Sequence, residues 1–161
     1  MTAAQSGQAA IPLIINAGMK TAIFEALDRD ARHEWERWAY ALYLLGVERK
    51  GGACPTKLGT VLYYRENGQR YVDLDECYFW PLGDPAETRR PEDIDGYRLA
   101  GQGAYARRFA NGIVLLNPQE DTAEEIELDR EYVDPESRHR IRRVTMAPQS
   151  GRILLIREGQ E

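Results

Sequence analysis

Apolar and polar positions follow two different periods along this chain. Ile11-Pro12-Leu13-Ile14-Ile15-Asn16 is a continuous apolar run, the pattern of a strand buried on both faces of a parallel sheet. From about Thr21 to Leu45, Phe24, Leu27, Ala31, Trp35, Trp38, Leu42 and Leu45 recur at intervals of three or four, which predicts a one-faced helix. Asp28-Arg29-Asp30 interrupts it, Asp30 is placed to cap a second segment, and Gly46 ends it. Thr60-Val61-Leu62-Tyr63-Tyr64 predicts a second strand, so strand, helix and strand form a βαβ unit with parallel strands. Glu66-Asn67-Gly68-Gln69 is a turn. Tyr71 to Pro85 reads as an irregular loop with a short helix, and Pro85 to Asp95 as a linker.

From Tyr97 the period becomes two. Strands are predicted near 104–109, 113–117, 123–128, 141–146 and 152–156. Asn111-Gly112 is the strongest hairpin signal, because both residues tolerate positive φ. Ile126 and Leu128, then Val144 and Met146, alternate with polar neighbours as half-buried antiparallel strands do. Glu124, Glu125, Glu127, Arg142 and Arg143 would face water.

Composition narrows the function classes. At 161 residues and 43% hydrophobic content the chain has the makeup of a folded domain. A formal charge of −5 argues against nucleic acid as a partner, because phosphate binding needs a basic surface. Arg138 to Arg143 is the local exception and reads as a solvated loop and strand edge. No apolar run approaches the roughly 20 residues of a membrane span, and no signal peptide is visible. Localisation stays open, since a secreted parent would carry its signal upstream.

Cys54 and Cys77 lack metal-ligand spacing; one disulfide and two free thiols are both open. His33 and His139 have no companion ligand, and Gly101-Gln102-Gly103 has no following helix to cradle a phosphate. Neither a metal nor a cofactor is expected. Asp73, Asp75, Glu76, Asp84 and Glu87 follow the second predicted strand. Only Asp73 and Asp75 can share a face there, and all five read as solvated loop acids, so no catalytic residue is assigned.

Three phrases carry a family resemblance. They are YARRFANGIVLLNP from Tyr105, VTMAPQSGRILLI from Val144, and an aromatic run followed by L-G-x-P across Tyr78–Pro85. Together they resemble the C-terminal end of glycoside-hydrolase-like proteins, in which a (β/α)8 barrel precedes a small antiparallel β domain. The resemblance implies an α/β plus β architecture. Residues 1–90 would be an incomplete barrel, with Ile11–Asn16 as its seventh strand, Asp30–Leu45 the helix and Thr60–Tyr64 the eighth strand. Residues 91–161 would be the antiparallel β domain. A closed barrel takes roughly 250 residues, so most strands would be missing.

By the same resemblance the parent would hydrolyse glycosidic bonds without a cofactor, using carboxylates from earlier strands near the fourth and sixth. This chain alone would be inactive, contributing a stabilising β domain and part of a sugar-binding rim. Barrel sites lie at the C-terminal ends of the strands. That placement nominates Asn16, Lys20, Tyr64, Arg65 and Glu66, with Tyr78 and Trp80 in the following loop. Asn16 would hydrogen-bond hydroxyls and Trp80 would stack on a ring, although a Trp before proline also suits packing between two layers. An exposed sheet edge would invite self-association. The alternative is a self-contained α+β binding or interaction module, without catalytic activity, whose antiparallel sheet packs on the Trp35/Trp38 helix.

Overall fold

A computed structural model describes residues 28–46, 63–66, 69–72, 75–87 and 91–156. Helix α1 spans Arg29–Gly46. Its cap is Asp28, whose Oδ1 accepts the Ala31 N–H at 2.8 Å. The expected cap, Asp30, lies inside the first turn, where its charge favours the positive helix end. The buried face also differs from the predicted one. Tyr40, Ala41, Leu44 and Leu45 are buried, whereas Trp35 and Leu42 are only partly covered. Small side chains explain the rotation: Ala41 lets the helix lie directly on Gly151 of the sheet.

Strands β1 (Tyr63–Glu66) and β2 (Gln69–Val72) pair antiparallel, from Tyr63↔Val72 to Glu66↔Gln69. This corrects the parallel pairing expected of Thr60–Tyr64, at least for Tyr63 and Tyr64. Asn67-Gly68 between the strands is a hairpin dipeptide, and β2 was hidden in what reads as a loop. Ile11–Asn16, the other expected barrel strand, lies outside the described residues.

The five strands predicted from alternation all form. They are β3 (Tyr105–Phe109), β4 (Gly112–Asn117), β5 (Glu124–Val133), β6 (Arg140–Met146) and β7 (Ser150–Leu155). They make one antiparallel sheet in the order β3-β4-β7-β5-β6. The β3–β4 turn is Ala110-Asn111, one residue earlier than predicted, and neither Asn111 nor Gly112 has positive φ. Gly112 is needed for a different reason: a Cβ there would stand 2.3 Å from the Leu154 carbonyl oxygen.

Every residue of β4 is buried, and alternate side chains enter two different cores. Val114 and Leu116 pack with Tyr40, Ala41, Leu44, Leu45, Phe109 and Ile153, on the helix side. Ile113 and Leu115 pack with Ile126, Leu128, Tyr132, Val144, Met146 and Leu154, on the other. The β5–β6 hairpin supplies most of that second layer. A break in register between Glu127 and Tyr132 lets it curl over the sheet, and β5 meets β7 only at Val133↔Leu155.

Of the segment read as a linker, residues 85–87 and 91–95 are described, and both parts touch β3. Pro85 bridges to Phe109 and Arg98 to Tyr105, flanking β3, while Pro91–Tyr97 forms a 3₁₀ turn that buries Tyr97. Among the described residues no helix is long and apolar enough to cross a membrane.

Candidate functional site

The sequence-nominated residues fall unevenly on this fold. Asn16 and Lys20, like Asp73, lie outside the described residues. Tyr64, Arg65 and Glu66 belong to β1. Tyr78 and Trp80 lie on and just after a 3₁₀ turn, Glu76–Phe79, against the middle of α1. Tyr78 packs against Tyr40 with ring centroids 4.8 Å apart, and Trp80 is partly buried against the same core. Phe79, between them, is 72% exposed.

A buried polar cluster pins this turn. Asp75 is its N-cap, and its Oδ1 accepts the Cys77 N–H at 2.8 Å. The Asp75 N–H donates to Glu36 Oε2 at 2.9 Å, while Arg37 Nε and His33 Nδ1 lie 3.2 and 3.5 Å from Asp75 Oδ2. Arg37 continues through NH1 to Glu136 Oε1 at 2.5 Å, and Glu136 Oε2 meets Arg152 at 3.3 Å. One guanidinium therefore ties α1, the aromatic turn and the β5–β6 turn together.

Two carboxylates and a thiol this close invite a catalytic reading, and the environment opposes it. Glu36 is fully buried and Asp75 is 5% exposed, so neither offers an oxygen to a substrate. Cys77 is a free thiol held well above the ordinary range, chiefly by burial and then by the Asp75 charge. A nucleophile needs the opposite shift. Tyr78 is likewise raised, by burial first and the charge of Glu36 second. Glu76, which opens the 3₁₀ turn, and Asp84 and Glu87, in the loop after it, are exposed. Among the described residues no group of three His, Cys, Asp or Glu is placed to hold a metal ion.

Glu36 and Arg37 were not nominated from the sequence. The signal was present: Glu36 shares an i, i+4, i+8 stripe with Tyr40 and Leu44, so a carboxylate stood on the buried face. Compared with protein-family models, with curated proteins and with solved structures, the chain matches none.

Proposed function

We propose that the chain is a non-catalytic β domain of the glycoside-hydrolase-like type, presenting the Tyr78-Phe79-Trp80 turn as a contact surface for a poly- or oligosaccharide. The observation that carries this is Phe79, the one large apolar side chain among the described residues that is left exposed, on a turn anchored from behind. An aromatic face stacks on the apolar face of a sugar ring, and a rigid support spares the complex the entropy of ordering it. The resemblance phrases support the reading by touching one another. Asn111 Nδ2 donates to the Pro81 carbonyl at 3.0 Å, and the N–H groups of Asn111 and Ala110 donate to the carbonyls of Leu82 and Asp84. Hydrolysis would belong to carboxylates that the resemblance places on earlier barrel strands.

Titrating the purified chain with neutral and acidic oligosaccharides, while following Trp fluorescence and hydrolysis together, tests this. The expected result is saturable quenching without turnover, abolished in Phe79→Ala, whose unfolding free energy stays within about 0.5 kcal/mol of the parent. Turnover by the chain would overturn the non-catalytic reading.

A second reading, a self-contained α+β interaction module using the same turn for a protein partner, draws on the antiparallel pairing of β1 with β2. Barrel strands of the (β/α)8 type pair in parallel. Self-association through a sheet edge would find one open edge in β6, whereas Pro85 and Arg98 each bridge to the β3 edge. A well-folded chain silent to every saccharide would favour this second reading.

A further inference from the structure

A basic surface stripe remains outside the account so far. The chain carries a net −5, yet Arg138, His139, Arg140, Arg142 and Arg143 are all exposed, in the turn before β6 and along it. Arg140 pairs with Glu131 at 3.1 Å, and Arg143 stands opposite Glu127 in register. Arg138 and Arg142 form no ion pair among the described residues. The carboxylates beside Arg138 in sequence are engaged elsewhere. Asp134 accepts from Ser137 at 3.1 Å and lies 3.9 Å from Arg152, while Glu136 is held by Arg37 and Arg152.

Arg138 is also strained. Its φ is 59°, in the left-handed region that glycine occupies freely and arginine does not. The β5–β6 turn imposes it: the Arg138 N–H donates to the Asp134 carbonyl at 2.7 Å, and the Asp134 N–H to the His139 carbonyl at 2.9 Å. The strain sits close to the aromatic turn, because Arg37 contacts Asp75 with Nε and Glu136 with NH1. The aromatic turn and the turn that carries Arg138 are thus fastened to the same stretch of α1, and Arg142 follows on β6.

We infer that the saccharide taken by this chain is anionic, a uronate-containing polymer whose carboxylates are received by Arg138 and Arg142. A guanidinium meets a carboxylate through two parallel N–H donors, which gives direction as well as attraction. The inference rests on the sugar-binding reading above and adds the charge of the ligand to it.

The test is fluorescence titration with a galacturonic acid oligomer and a neutral cellulose oligomer of equal length, at low and high salt. A polyglutamate peptide serves as the non-sugar anion. The uronate oligomer should bind about tenfold more tightly than the neutral one, an advantage that added salt removes. The double variant R138Q/R142Q, shown by circular dichroism to be folded, should lose that advantage and keep its affinity for the neutral oligomer. Equal binding of the two sugars, or a double variant that binds uronate undiminished, overturns the inference and leaves the sugar-binding reading standing. Equal binding of polyglutamate overturns it too, as a patch without selectivity for sugar. Silence toward every saccharide from the folded wild type overturns both.

Discussion

Burying a guanidinium is unfavourable unless its donors and faces are met. Around Arg107, 1% exposed on β3, they largely are. NH1 donates to the carbonyls of Leu44 and Leu45 at 2.6 and 3.0 Å, and NH2 to the Glu87 carbonyl at 3.0 Å. Tyr97 and Phe109 hold its carbon 5.1 and 5.4 Å from their ring centroids. The last carbonyls of a helix lack intrahelical partners and carry its negative pole, so a strand residue completes α1. Arg107→Met keeps the bulk and strips the donors; it should destabilise the chain by about 3 kcal/mol in urea unfolding. Arg107→Lys should recover less than half of that, because an ammonium lacks the planar fork. This role was partly legible. Alternation puts Arg107 on the same face as Tyr105 and Phe109, two aromatics that go inward, but no sequence pattern announces a helix end 63 residues away in the chain.

Among the elements, the antiparallel strands could be read because each needs only its own alternation and a turn at either end. β5 runs five residues past its predicted end because Asp129, Arg130 and Glu131 fill the irregularity in register, where polar residues look like loop. The helix was legible in extent but not in orientation, since its buried face is set by a partner far along the chain. That partner is Gly151 in the phrase P-Q-S-G-R-I-L-L: a Cβ there would lie 2.6 Å from the Arg37 carbonyl oxygen and 2.8 Å from Ala41 Cβ. Gly151→Ala should therefore push α1 off β7 and cost about 2 kcal/mol, read as a lower urea midpoint. Asn117, in the phrase L-L-N-P, is buried and donates to the carbonyls of Thr122 and Ala147 at 2.8 and 3.0 Å. The residues that carry the family resemblance are thus fold determinants, which is why they suggested an architecture without disclosing an active group.

For the molecule as a whole, the buried thiol and phenol set how stability responds to alkali. Cys77 and Tyr78 both have raised values in the folded state, so the unfolded chain gives up these protons first. Their contribution is intact below the unfolded values, about 8.5 for a thiol and 10 for a phenol, and declines as pH climbs past them. Between pH 8 and pH 10.5 the unfolding free energy from urea titration should drop, by up to about 1.4 kcal/mol per pH unit for each group once ionised in the unfolded state, and the midpoint with it. An unchanged midpoint would mean that water reaches the thiol. Thiol reagents at pH 8 should likewise label Cys77 only under denaturing conditions.

Four successive residues of β4 serve both cores, Ile113 and Leu115 on one side and Val114 and Leu116 on the other. Neither core can loosen while the other keeps its packing, since the shared strand would have to stay and leave at once. Among the described residues, the helix, the sheet and the hairpin over it therefore have no natural seam along which to come apart in stages. A ligand held at the aromatic turn would be gripped by a body that stays whole or is lost whole, and its occupancy would steady both cores at once.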